Sequence, residues 1–199
     1  MDEIAFDDRG LVPCIVQDWA TGEVLTLAYM NEPALARTRE TGEVHFFSRS
    51  RQELWHKGEI SGNFLRVKAL RFDCDLDAVL ALVEPAGPAC HTGERTCFHN
   101  GITEPPASHE ALPVLGRTIE QRRGTEPGSS YTARLLSDPD LNGAKVREEA
   151  EEVGRAVAEE SDQRVREEAA DVLYHLAVLI AGRGIALADV FEELNDRRG

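Results

Sequence analysis

The sequence has no long uninterrupted apolar run, no excess of positive charge and only four cysteines, and each shortage removes a class of protein. Its most apolar stretch, Val172 to Ala181, is broken by His175. That stretch is far too short to cross a hydrocarbon core of about 30 Å, so no membrane partner is expected. Lys and Arg total 22 against 36 Asp and Glu, for a formal charge of −14. Such a field repels the nucleic-acid backbone and anionic lipid alike, so no nucleic-acid partner is expected either. The start, Met1-Asp2-Glu3, is acidic where a secretory or organellar signal is basic, which makes a cytoplasmic location the expectation. In that reducing compartment Cys14, Cys74, Cys90 and Cys97 read as thiols or metal ligands rather than disulfides. The chain also lacks internal repeats and a tail of one charge, and the acidic excess is the same in residues 1–104 and 105–199. That balance suits carboxylate clusters offset by bound cations.

What is present changes in texture near residue 100. Before it, short β-rich runs alternate with glycine-containing turns. Leu11–Asp18 and Val24–Ala28 flank Thr21-Gly22 as a hairpin, and Val44–Ser48, Phe64–Phe72 and Val79–Val83 read as further strands. Pro33–Thr41 has helical spacing and stops at Gly42. Residues 1–104 are therefore expected to form an α+β domain around a mostly antiparallel sheet. Residues 105–111 begin with Pro105-Pro106 and carry little apolar content, as a linker does. Residues 112–199 read as an all-α bundle: Leu112–Arg122, Ser130–Ser137, Asn142–Glu160, Arg164–Arg183 and Ala186–Asn195. Val146, Ala150, Val153 and Val157 recur on one face of the third of these helices. Val165, Ala169, Val172, Leu173, Leu176, Leu179 and Ile180 make the stripe of the fourth. So small a bundle buries little surface alone and is expected to complete itself by dimerising.

The densest chemistry lies in Asp73-Cys74-Asp75-Leu76-Asp77, followed by Cys90-His91-Thr92-Gly93 and Cys97. If residues 73–77 are extended, a period of two puts Asp73, Asp75 and Asp77 on one side and Cys74 on the other. Three oxygen donors suit Mg2+; thiolates from Cys74, Cys90 and Cys97 suit Zn2+ and leave a fourth position for water. Zinc makes such water acidic near neutral pH, and His91 stands beside a ligand to accept the proton. Taken singly, each motif has a plainer reading: buried small hydrophobes for the cysteines, a solvated turn for the aspartates. Cys14, inside an apolar strand, reads as a packed thiol. Upstream, Phe46–Arg51 and the glycine-containing Leu54–Gly62 frame a turn rich in phosphate-binding donors, and Arg49, Lys57, Glu59 and Ser61 are the candidate substrate contacts. In the helical part, Glu148, Glu149 and Glu152 fall along one helix and Glu168 with Asp171 along the next. If those sides face each other, five carboxylates converge and divalent cations must neutralise them. Glutamate-rich faces are also commonly plain solvated surface.

WHKGEISGN (55–63), DCDLD (73–77) and GPACHTGERTCF (87–98) resemble signature stretches of phosphoribosyl-AMP cyclohydrolase, over nearly all of residues 4–100. That resemblance implies zinc on Cys74, Cys90 and Cys97, with Cys74 contributed across a homodimer interface, and magnesium on Asp73, Asp75 and Asp77. It implies hydrolytic opening of an N1-ribosylated adenine at C6, with His91 as the catalytic general base. Phe47, Ile60 and Phe64 depart from the family's usual residues at positions that are not ligands. SSYTARLL, KVREEAEEV and EEAADVLYHL, within residues 112–199, resemble phosphoribosyl-ATP pyrophosphohydrolase, an all-α nucleoside-triphosphate pyrophosphohydrolase. This second resemblance implies magnesium on Glu148, Glu149, Glu152, Glu168 and Asp171 and cleavage between the α- and β-phosphates. Arg134 and Lys145 are then the cations for substrate phosphates, and His175 a satisfied bundle histidine. The product of the second half is the substrate of the first, so the two resemblances imply consecutive steps of histidine biosynthesis on small-molecule nucleotides. A general nucleotide pyrophosphatase with a degenerate first domain, and a non-enzymatic zinc scaffold, are the rival readings.

Overall fold

The computed structural model describes residues 4–101 and 107–198. Met1-Asp2-Glu3 and Pro105-Pro106, on which the targeting and linker expectations rest, lie outside those residues. The chain divides into two compact units, Met1–Pro105 and Pro106–Gly199.

In the first unit, β1 (Val12–Asp18), β2 (Val24–Met30), β5 (Leu65–Phe72) and β6 (Val79–Pro85) form one sheet in the order β2-β1-β6-β5. The β1–β2 and β5–β6 pairs are antiparallel and β1–β6 is parallel. Burial alternates along β1, sending Val12, Cys14, Val16 and Asp18 inward, which is the period-two pattern of a half-buried strand. The β1–β2 turn is closed by the Asp18 carboxylate, which accepts from the Ala20 and Thr21 amides, and by Gly22 at φ 74°. Helix α1 (Glu32–Thr41) starts where the Asn31 side chain accepts from the Ala34 amide and ends at Gly42, left-handed at φ 71°. Phe46, Leu35 and Val44 join the strand residues in a single core.

A second, two-stranded ribbon pairs β3 (His45–Ser48) with β4 (Glu53–His56), in the register His45 opposite His56 and Phe46 opposite Trp55. The sequence reading gave no strand at 53–56. Its turn carries no glycine, Gln52 itself adopting φ 56°, and Glu53 and Leu54 face solvent. Neither the turn signal nor the apolar alternation of a hairpin is present.

The second unit contains α2 (Ala111–Arg122), α3 (Tyr131–Ser137), α4 (Pro139–Glu159), α5 (Asp162–Gly182) and α6 (Leu187–Asp196). The expected linker is structured at its end: Ser108–Glu110 make one 3-10 turn and Ala111 already belongs to α2. Helix α4 begins three residues before the expected start because Pro139 occupies the first turn, where its missing N–H costs nothing, and Asp138 caps the Leu141 amide at 3.0 Å. Ser161 caps α5 immediately after α4 ends. Ile119, Leu135, Ala177, Val178 and Ala181 form the core. The apolar stripes are not wholly covered within one chain, since Val157, Leu173 and Leu176 are exposed and Ala156 takes the buried place on α4. No single helix among the described residues is long and apolar enough to cross a membrane.

Candidate metal centres

The chain leaving β6 carries Cys90 and Cys97 back along the edge of the sheet, where the Cys97 amide donates to the Leu25 carbonyl of β2 at 2.8 Å. Between them Gly93, at φ 88°, lets the loop turn so that its amide and the Cys90 carbonyl meet at 3.2 Å. Arg95 fastens this loop: Nη2 donates to Asp18 at 2.7 Å and Nε to Glu23 at 2.7 Å, tying it to the β1–β2 hairpin. The two thiols are near enough for each to influence the other's titration. The Thr92 hydroxyl donates to Cys90 Sγ at 3.1 Å, and hydrogen bonds from Thr92 draw that thiol's pKa below its ordinary value. Burial pushes Cys97 the other way. His91 is exposed, with Nδ1 at 3.8 Å from Cys90 Sγ. Lys57 is buried beside the pair, where desolvation lowers its pKa against the pull of the two sulphurs.

Residues 73–77 are a turn, not an extended strand, with Leu76 at φ 65°. The alternation expected to separate Cys74 from the aspartates therefore does not operate. The turn itself gathers Asp73, Asp75 and Asp77, with one carboxylate oxygen of each within 4.8 Å of the others. Asp73 Oδ1 accepts from the Ala78 amide at 3.0 Å, which lowers its pKa. Its hydrogen bond with Asp77 raises that of Asp77, and the neighbouring charges add to the effect. Three hard donors this close fit a cation of the Mg2+ type. Cys74 is exposed, its Sγ 3.8 Å from Asp75 Oδ1, and among the described residues it is not gathered with Cys90 and Cys97. Two thiols with a third ligand from elsewhere fit zinc. Cys14 is packed in the core, burial pushing its thiol up to about 12, as suits a small hydrophobe.

Two of the remaining first-unit candidates, Glu59 and Ser61, lie on a tight loop. Gly58 adopts φ 100°, and a Cβ there would lie 2.6 Å from the Phe64 nitrogen. Glu59 and Ser61 are exposed on that loop, the Ser61 hydroxyl accepting from the Asn63 amide. The Arg49 guanidinium stacks over the Tyr29 ring at 3.9 Å.

In the second unit α4 and α5 bring three of the five expected carboxylates together: Glu149, Glu152 and Glu168, with ligand atoms within 4.8 Å of one another. Glu168 is buried, and the Glu149 side chain is 12 % exposed, which is not how a solvated glutamate face looks. Glu148 is exposed and paired with Lys145 at 2.8 Å, and its carboxylate is not gathered with those three. Asp171 is exposed and outside the group. Arg164 hydrogen-bonds Glu168 and also pairs with Glu160 and Glu167. Lys145 Nζ is 3.8 Å from Glu149, and Arg134 on α3 is exposed. His175 is buried, with Nδ1 3.1 Å from Asn142 Oδ1. Sequence reasoning missed Arg95 and Asn142, whose partners are remote in the chain and leave no local pattern.

Two separate donor sets, soft sulphur and hard oxygen in a strand-rich unit and largely buried carboxylates in a helical one, are of the kind that metal-dependent hydrolases use. Residues 26–99 match the phosphoribosyl-AMP cyclohydrolase family and residues 112–198 the phosphoribosyl-ATP pyrophosphohydrolase family. The histidine biosynthesis bifunctional protein HisIE of Bacillus subtilis is 48% identical, over 98% of this chain and 95% of its own. Those of Synechocystis and Gloeobacter violaceus are 46% and 47% identical, over 100% and 97% of this chain and 94% and 89% of their own. The chain belongs to this bifunctional histidine-biosynthesis family, pairing a phosphoribosyl-AMP cyclohydrolase with a phosphoribosyl-ATP pyrophosphohydrolase.

Proposed function

We propose that the helical unit releases pyrophosphate from phosphoribosyl-ATP at Glu149, Glu152 and Glu168, and that the first unit then opens the adenine ring at Cys90 and Cys97. The observation that carries this reading is the sorting of donors: two thiols neighbouring each other in one loop, carboxylates within 4.8 Å in two other places. Glu149, Glu152 and Glu168, with Glu148 and Asp171 from the same two helices, would hold magnesium, which when bound would supply charge neutralisation for a polyphosphate. Lys145 and Arg134 bind phosphate oxygens as the substrate enters. Asp73, Asp75 and Asp77 would hold a further magnesium.

In the first unit zinc on Cys90 and Cys97, when bound, makes water reactive near neutral pH. Cys74 stands exposed and apart from the other two thiols, which supports its serving the site of a second copy in a homodimer. The uncovered Val157, Leu173 and Leu176 supply a surface for such pairing in the other unit. His91 takes the proton from the attacking water, Arg49 and Ser61 bind the ribose phosphate, Glu59 accepts from ribose hydroxyls, and Lys57 holds positive charge behind the thiols. A cytoplasmic location accords with the thiols remaining reduced.

Incubating the protein with phosphoribosyl-ATP, Mg2+ and Zn2+ is expected to yield pyrophosphate first and the ring-opened ribotide second. His91→Asn is expected to slow ring opening by about 10²–10⁴-fold with pyrophosphate release unchanged. Glu149→Gln combined with Glu152→Gln should slow pyrophosphate release while leaving ring opening of supplied phosphoribosyl-AMP unchanged. Ring opening undiminished in a zinc-free Cys90→Ser protein, or turnover of ordinary dNTPs without ring opening, overturns the reading.

A further inference from the structure

Beside the acidic cluster of the helical unit lies a buried polar chain for which phosphate chemistry has no use. Asn142 on α4 is fully buried and His175 on α5 nearly so. The Asn142 amide oxygen faces His175 Nδ1 at 3.1 Å, and the other ring nitrogen, Nε2, faces Glu149 Oε1 at 4.0 Å. Tyr131 and Tyr174 stand edge-on to the imidazole at centroid separations of 5.9 and 5.1 Å and hold its plane.

With the amide this way round, two faults appear together. Asn142 Nδ2 is buried with no hydrogen-bond partner, which native interiors rarely tolerate. A neutral imidazole carries one proton. If Nδ1 donates it to the amide oxygen, Nε2 turns a lone pair toward the Glu149 carboxylate, acceptor against acceptor. Turning the amide over gives Nδ2 an acceptor in the ring and removes the clash of acceptors without repacking, because its oxygen and nitrogen are nearly the same size; the place Nδ2 held passes to the amide oxygen, and a carbonyl is left short of a partner more readily than an N–H. Nδ2 then donates to Nδ1, the ring proton sits on Nε2, and that N–H is aimed at Glu149. A small rotation of the Glu149 side chain, or one bridging water, closes the remaining distance.

We propose that Asn142 and His175 are positioning residues: Asn142 holds the imidazole in its Nε2–H form, and that N–H fixes the Glu149 carboxylate for a divalent cation. The proposal rests on the reading of Glu149, Glu152 and Glu168 as a cation site. One Glu149 oxygen is taken by the ring and the other is left for the ion, as outer partners commonly orient a metal's ligands. Lys145 and Glu148 on α4 and Asp171 on α5 also act on the ring electrostatically. Lys145 supplies charge to Glu149 from 3.8 Å; the ring supplies direction.

Two measurements on the full-length protein test this. Nitrogen-15 spectra of the metal-free protein at pH 8, assigned with His175→Gln, are expected to show His175 as the Nε2–H tautomer; the Nδ1–H tautomer overturns the relay. Mn2+ binding is then followed by electron paramagnetic resonance in a chain carrying Asp75→Asn and Asp77→Asn, so that the helical cluster is read alone. Adding His175→Phe is expected to weaken Mn2+ about 10–100-fold, the usual cost of losing an outer partner. His175→Gln, which can offer an N–H in the same direction, should recover part of that loss, and Asn142→Leu should show a smaller one. Unchanged affinity in a folded His175→Phe protein overturns the relay alone. No Mn2+ binding by the parent chain overturns the cluster reading and the relay together. Should His175→Phe fail to fold, Asn142→Leu and the tautomer spectrum decide the matter.

Discussion

Arg95 is the residue on which the geometry of the cysteine loop depends most directly. It lies between Cys90 and Cys97 and joins Asp18, whose side chain is 5% exposed, to Glu23. Arg95→Met leaves the Asp18 carboxylate with only backbone amides for partners among the described residues. The guanidinium is about a third exposed, so solvent screens the pairs, and the expected loss is about 1–2 kcal/mol in a urea titration. The same variant should expose Cys90 to thiol reagents faster than the parent; equal rates would show that the loop is held by its backbone contacts. Gly58 is a second such position. Its φ of 100° and a Cβ only 2.6 Å from backbone at Phe64 leave no soft neighbour to move. Gly58→Ala is expected to cost about 1–3 kcal/mol, read as a lower unfolding midpoint.

At the scale of elements, the β3–β4 ribbon carries a pH dependence of its own. His45 and His56 stack at 4.2 Å across the ribbon, His45 buried and His56 bonded to Glu43 at 2.8 Å. Burial holds the pKa of His45 below the ordinary 6.5, with the His56 and Arg37 charges adding to the effect and the Glu43 carbonyl opposing it. The unfolded chain therefore takes up this proton at a higher pH than the folded one. The stabilisation is complete above about pH 6.5 and is lost as pH falls toward the folded value. His45→Gln should flatten the fall in unfolding midpoint between pH 7 and 5, and a slope identical to wild type would refute it. The ribbon also shows where pattern reading stops. β1, β2, β5 and β6 announce themselves by alternation and glycine turns, whereas Glu53–His56 is a strand only because His45–Ser48 lies ready to pair with it. Likewise Val157 fits the helical period of α4 yet is exposed, since which side of a helix is covered depends on what packs there.

Across the whole molecule, the two units have separate cores, Val12 through Val83 in one and Ile119, Leu135 and Val178 in the other. Leu135→Ala removes buried methyl groups from the second core and is expected to cost about 2–5 kcal/mol there. Pyrophosphate release should fail at a lower temperature while ring opening keeps its wild-type thermal profile. Loss of both activities at one temperature would mean that the units unfold together.

Much of this protein is legible in one dimension because its chemistry is local. Cys90 and Cys97 share a loop, Asp73, Asp75 and Asp77 share a turn, and Glu149 with Glu152 share a helix face, so short spacing alone brings them near each other. The kind of ion each set attracts follows from the donor atoms, and the helical periods separate the second unit from the first. What the sequence left open is every meeting between distant segments. Glu168 joins Glu149 only when α5 packs on α4, Arg95 finds Asp18 only across the finished sheet, and Asn142 meets His175 only inside the bundle. Those encounters are set by burial and close packing of whole elements, which no single stretch of residues encodes.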